Sequence, residues 1–202
     1  MKYIDTFIFD LDGTLIDTTI YKRIYPKVLK MILKKSNLSK KQIEATAKAL
    51  KMKKNKYGHY DSGDLCRVFG LIDEYYALLE KEVKVTNSLH DGVESLFKKL
   101  KKDKKKIGIA SNSMKKTIML HLKKYDILKY VDFVFSSEDA GCKKDNPKYW
   151  KMLIKKEKLN PRNCLIIGDT TLDDKLVPQK LGFNSNIIKS KKDLITTDIY
   201  RI

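Results

Sequence analysis

A short apolar run that stops on two carboxylates constrains this chain most. Tyr3 to Phe9 reads YIDTFIF, and Asp10-Leu11-Asp12-Gly13-Thr14 follows at once. The run is rich in aromatics and short enough for one buried strand. Two negative charges at the mouth of such a strand need a cation or donors to face them, because an unpaired charge is costly away from water.

Downstream of Gly92, strand and helix patterns alternate. Val93, Leu96, Phe97 and Leu100 have helical spacing. Ile107 to Ala110 reads as a strand stopping at Ser111-Asn112-Ser113, and Met114 to Lys124 as a helix with Ile118, Met119 and Leu122 inward. Phe133 to Phe135 is a strand, and Pro147 opens a helix through Trp150, Leu153 and Ile154. Cys164 to Ile167 is a strand stopping at Gly168-Asp169. Leu172 to Leu181 is a helix that Pro178 shortens or kinks, and Ser185 to Ile188 is a last strand. This order predicts an α/β fold, a parallel sheet flanked by helices.

Thr18 to about Ser88 carries helical patterns and no strand: Ile20–Lys34, Lys40–Met52 and Leu71–Val83, with the polar loop KNKYGHYDSGD before the last. Helices inserted after the first strand predict a cap subdomain, 17–88, interrupting a core of 1–16 and 89–202.

Composition acts by exclusion. A chain of 202 residues can bury a real core, and 42% hydrophobic with 34% charged residues suits a globular protein. No apolar run approaches the roughly 20 residues of a membrane helix. Charges at Asp5, Asp10 and Asp12 break up any signal-like segment, so a cytoplasmic location is expected. Cys66, Cys142 and Cys164 lie far apart with no C-x-x-C pair, and read as reduced thiols. The net charge of +18 raises polyanion binding. Yet the only arginines are Arg23, Arg67, Arg162 and Arg201, and specific phosphate and base readout favours the arginine fork. A lysine-rich surface reads as compositional bias. Neither a nucleic-acid nor a membrane partner is expected, and a monomer is the default.

Ligands of open parallel sheets bind at the carboxyl ends of the strands. There the sequence places Asp10 and Asp12, then Ser111-Asn112-Ser113, then Lys143-Lys144 ahead of the Pro147 helix, then Gly168-Asp169 with Asp173-Asp174 a turn later. Carboxylates from several strands suit Mg²⁺, which takes oxygen ligands. Residues two apart on an extended chain share a side, so Asp12 reaches the pocket of Asp10. A carboxylate can accept a phosphoryl group, while a cation and a lysine offset anion–anion repulsion. Ser111 can hold a phosphate oxygen beside a helix N-terminus. Singly, each piece is common: Ser111-Asn112 can be a helix cap, and Asp173 or Asp174 can serve a helix dipole. The histidines His59, His90 and His121 are scattered and read as structural or solvated, and His59, in the YGHY stretch of the cap, is the one to test for substrate contact.

In order, FDLDGTL, IASNS, a lysine ahead of a helix and IIGDTTLDD resemble the haloacid dehalogenase superfamily of phosphohydrolases, over Tyr3 to about Ile188. The insertion resembles its helical C1-type cap. The resemblance implies a Rossmann-like core of strand order 5-4-1-2-3 and an aspartyl-phosphate mechanism with Mg²⁺. Asp10 would be nucleophile. Asp12 would be general acid and then base, its backbone carbonyl on Mg²⁺. Ser111 would bind the phosphoryl group with Thr14 and Asn112, and Lys144 would pair nucleophile with phosphate. Asp169 would ligate Mg²⁺, and Asp174 falls at the second acidic position, with Asp173 the fallback. The third motif departs: Lys144-Asp145-Asn146-Pro147 stands where many capped relatives have Lys-Pro-Asp-Pro, and Pro147 with Tyr149-Trp150 sets the register on Lys144 rather than Lys143.

The implied activity is Mg²⁺-dependent hydrolysis of a small phosphorylated metabolite: phosphoglycolate, a sugar phosphate or a nucleotide. Asp12 argues against a dehalogenase. A phosphomutase would carry a histidine early in the cap, where Lys22 stands. A phosphonate hydrolase needs a Schiff-base lysine, and a nucleic-acid-binding protein on this scaffold is the alternative from another class.

Overall fold

In the computed structural model, which describes residues 3–55 and 57–194, five strands form one parallel sheet. They are β1 (Thr6–Phe9), β2 (Lys106–Ser111), β3 (Phe133–Ser136), β4 (Cys164–Gly168) and β5 (Asn184–Ile187), in the order β3-β2-β1-β4-β5. This is the order 5-4-1-2-3 read from the other edge. Thr6 pairs with both Lys106 and Cys164, and Phe9 with both Ile109 and Ile167. The three central strands are therefore in step, and the residues after them emerge at one edge.

All four residues of β1 are buried. The pleat sends its side chains alternately to two cores. Phe7 and Phe9 join Ile107, Ile109, Leu165 and Ile167, and meet Val93, Phe97, Leu100, Ile118 and Leu122 from the helices. Ile8 faces the other way with Ala110, Phe135 and Ile166, against Tyr149, Trp150 and Leu153. Both faces are covered, as a parallel sheet requires.

The chain divides into two units, Met1–Asp17 with Leu89–Ile202, and Thr18–Ser88. The second consists of α1 (Thr19–Ser36), α2 (Lys40–Ala49), α3 (Ser62–Val68) and α4 (Ile72–Val85). Ile20, Ile24, Val28 and Ile32 form the buried stripe of α1 at four-residue spacing, while Pro26 sits on its solvent side. Helix α4 contributes Tyr75, Tyr76, Leu79 and Val83. Arg23, near the start of α1, donates to Thr86 Oγ1 at 2.7 Å. His59 stacks on Tyr25, ring centroids 4.0 Å apart.

In the first unit, α5 (Val93–Lys102), α6 (Lys115–Lys124), α7 (Ser137–Ala140), α8 (Pro147–Glu157) and α9 (Val177–Gln179) connect the strands, with a π-helical turn at Leu172–Leu176 before α9.

Several boundaries differ from the sequence reading for local reasons. Strand β1 starts at Thr6, because its neighbours begin their pairing there; Tyr3 is 70% exposed. Helix α3 starts inside the polar stretch read as loop, with Asp61 capping it by accepting the Asp64 N–H at 2.8 Å. Helix α7 was not foreseen and is a single turn held by a Ser136–Asp139 capping box. Helix α6 turns Thr117 and His121 inward, with Met119 only half-buried. Among the described residues no helix is long and apolar enough to cross a membrane. The expected core extends to 202, and residues 195–202 lie outside those described.

Candidate active site

Asp10 is the first residue beyond β1, its N–H donating to the Ile167 carbonyl at 2.9 Å. That bond continues the β1–β4 ladder and aims the carboxylate along the sheet edge. The chain then reverses: Leu15 and Ile16 both donate to the Leu11 carbonyl. Gly13 allows the reversal, with φ +92, and a Cβ there would sit 2.3 Å from Asp169 Oδ2. The glycine after the second aspartate thus leaves room for a carboxylate from β4.

Lys144 is the hub. It is 2% exposed, and its ammonium donates to Asp10 Oδ1 at 2.5 Å, Asp174 Oδ1 at 2.6 Å and the Ala110 carbonyl at 3.3 Å. Its backbone is fixed too: the Trp150 indole Nε1 donates to the Lys144 carbonyl at 3.0 Å. Lys143 instead reaches the Asn112 carbonyl at 3.1 Å.

Asp174 is buried and Asp173 only half-buried, both on the π-helical turn. Asp174 faces Lys144, and its Oδ2 accepts the Thr170 N–H at 3.1 Å. Asp173 Oδ2 accepts from Asn112 Nδ2 at 2.7 Å. Gly168 is needed for this turn: a Cβ there would lie 2.2 Å from Asp174 Cγ. Asp169 remains accessible, with its Oδ1 taking the Thr170 hydroxyl at 3.1 Å.

Asp12 is held from β2's end. Ser113 Oγ donates to its Oδ2 at 2.6 Å, and Ser111 Oγ lies 3.4 Å from the same oxygen. Asp12 Oδ1 makes no hydrogen bond among the described residues. Ser113 stands beside Ser111-Asn112 in the sequence, and spacing alone does not show that it turns back to Asp12. Thr14 is fully buried, and its hydroxyl finds no partner among the described residues. Asn112 has both ends of its amide engaged, Oδ1 by the Lys144 N–H at 2.7 Å and Nδ2 by Asp173.

Asp10, Asp169 and Asp174 each bring a carboxylate oxygen to within 4.8 Å of the others. Burial pushes the Asp10 carboxyl well above the usual carboxylate range; Lys144 pulls it down, while Asp174, Asp12 and Asp169 push it up. Burial works against the charge on Lys144, but Asp10 and Asp174 outweigh it and hold its pKa above the ordinary lysine value. One ammonium thus faces a surplus of carboxylates. The all-oxygen donors fit a hard divalent cation.

A family model described as haloacid dehalogenase-like hydrolase matches residues 7–186. Among curated relatives, the Rhythmically expressed gene 2 protein of Drosophila melanogaster is 30% identical over 103 residues, 49% of this chain and 39% of that protein. The chain thus spans well under half of that relative. Pyrophosphatase PpaX of Oceanobacillus iheyensis is 28% identical over 182 residues, 84% of this chain and 77% of that one. Among solved structures, a HAD phosphatase from Thermococcus onnurineus superposes with a TM-score of 0.74 at 22% identity, over 92% of this chain and 86% of that one.

Proposed function

The chain belongs to the haloacid dehalogenase-like hydrolase family, and from that premise we propose that it is a Mg²⁺-dependent phosphatase of small phosphorylated metabolites. One observation carries the reading. The Lys144 ammonium joins two buried carboxylates, Asp10 and Asp174, with Asp169 close by and a further, separately held carboxylate at Asp12. The names of the similar pyrophosphatase and phosphatase support it.

Asp10, Asp169 and Asp174 would hold the cation, with the Asp12 backbone carbonyl as the family pattern implies. When bound, it would neutralise charge on the phosphoryl oxygens. Asp10 attacks phosphorus, and the bond to the leaving oxygen breaks. Asp12 is the general acid that gives a proton to that oxygen. It then takes a proton from the water that attacks the phosphoryl group on Asp10, releasing phosphate and restoring both carboxyls. Lys144 holds Asp10 in line and offsets the approach of one anion to another. The Ser111 hydroxyl is the group offered to a phosphoryl oxygen, and Ser113 keeps Asp12 oriented. Phosphoglycolate, sugar phosphates and nucleotides are the substrate classes, with diphosphate added by the name of the similar pyrophosphatase.

Wild type is expected to hydrolyse p-nitrophenyl phosphate with Mg²⁺, and Asp10→Asn to lose roughly a thousandfold or more of that rate. A variant that keeps full turnover removes Asp10 as nucleophile. A screen of phosphorylated metabolites with Mg²⁺ identifies the substrate class.

A further inference from the structure

Both ends of the Asn112 side-chain amide are taken up by the protein itself. Its Oδ1 accepts the Lys144 backbone N–H and its Nδ2 donates to Asp173 Oδ2, both at 2.7 Å. A primary amide has one acceptor side and one donor side in a rigid plane. This single group therefore gauges the distance between the loop carrying Lys144 and the π-helical turn carrying Asp173 and Asp174. With Trp150 on the Lys144 carbonyl, the lysine backbone is gripped at both its N–H and its C=O. From that grip its side chain reaches Asp10 and Asp174.

We propose that Asn112 is a positioning residue for Lys144: by joining the Lys144 N–H to the Asp173 carboxylate, its amide fixes the ammonium between Asp10 and Asp174. The consequence for turnover rests on the phosphatase reading; the bracing itself does not. A lysine stem has four rotatable bonds, so its ammonium stays between two carboxylates only if the backbone beneath it is held. A misplacement of about 1 Å costs of order a hundredfold in rate.

The hydrogen-bond polarity gives the test. Asn112→Asp keeps an acceptor for the Lys144 N–H but turns a carboxylate on Asp173. Adding Asp173→Asn restores a donor–acceptor pair in the reverse sense, and the two changes cancel in charge. Two readouts are taken on the full chain with Mg²⁺: kinetics on p-nitrophenyl phosphate, and hydrogen exchange at the Lys144 amide followed by NMR. Asn112→Ala is expected to lower kcat about a hundredfold with KM little changed, and to strip the Lys144 amide of protection. Asn112→Asp is expected to lower kcat as well, and the exchanged pair to recover at least about tenfold of the loss.

The proposal is overturned if Asn112→Ala leaves both kcat and the exchange unchanged, or if the exchanged pair does no better than Asn112→Asp. Should Asn112→Ala fail to fold, the comparison of those two variants decides alone. If wild type turns over no phosphoester while the Lys144 amide still loses protection in Asn112→Ala, the phosphatase reading falls and the bracing stands.

Discussion

At the scale of single residues, the site is a contest between burial and charge settled by contacts at 2.5 and 2.6 Å. Lys144 survives burial as an ammonium because Asp10 and Asp174 both touch it. A buried charge stripped of its partner would cost several kcal/mol. The glycines are set by the same carboxylates. Gly168→Ala would drive a Cβ to 2.2 Å from Asp174 Cγ, so either the backbone or Asp174 must move. We expect a loss of about 1–3 kcal/mol in urea unfolding, together with weaker Mg²⁺ binding. Unchanged Mg²⁺ affinity in a folded Gly168→Ala protein would separate Asp174 from the cation site.

At the scale of elements, the structure shows why some helices were visible in the sequence and others were not. Helix α5 buries Val93, Leu96, Phe97 and Leu100, the residues whose spacing announced it. Helix α3 is 7 residues long and begins in a polar, glycine-containing stretch, so periodicity has too few turns to register. Its start depends on Asp61 taking the Asp64 N–H. Asp61→Ala is expected to destabilise the protein by about 1 kcal/mol and to increase amide exchange within Ser62–Val68, while helix α1 exchanges as before. The π-helical turn at Leu172–Leu176 was read as ordinary helix. In an ordinary helix, consecutive residues point about 100° apart. Within the π-helical turn Asp174 faces Lys144 and Asp173 faces Asn112, with Gly168 leaving room for the Asp174 carboxyl.

At the scale of the whole molecule, the parallel sheet gathers carboxylates from distant parts of the chain and then has to tolerate them. Burial raises the Asp10 carboxyl first, and its acidic neighbours add to that. A carboxyl with a raised folded pKa costs stability once the pH passes its unfolded value, ~3.9, and the full cost is reached above the folded value. In metal-free protein the burial of Asp10 is therefore expected to cost progressively more stability as pH rises through that window. A cation competes with the proton for the same oxygens. Mg²⁺ should accordingly raise Tm more at pH 8 than at pH 5, and Asp169→Ala should abolish most of that gain. A gain independent of pH, or intact in Asp169→Ala, would place the cation elsewhere.

The sequence alone determined the parallel sheet, its strand order through the family pattern, and the set of polar residues delivered to one edge. The sheet and the polar set follow from periodicity and from what stands after each strand, which are local properties; the strand order follows from the resemblance alone. Only the tertiary structure decided how that set is wired. Lys144 meets Asp10 across 134 positions and Asp174 across 30, and Ser113 meets Asp12 across 101. Lys144 takes Asp174 rather than its neighbour Asp173, a choice that spacing does not show. The engagement of Asn112 by the protein's own backbone turns on a loop with no periodicity at all. Such contacts are fixed by rotations of a fraction of a turn and by the packing of Trp150 and Tyr149 beneath the loop, and neither leaves a trace in spacing.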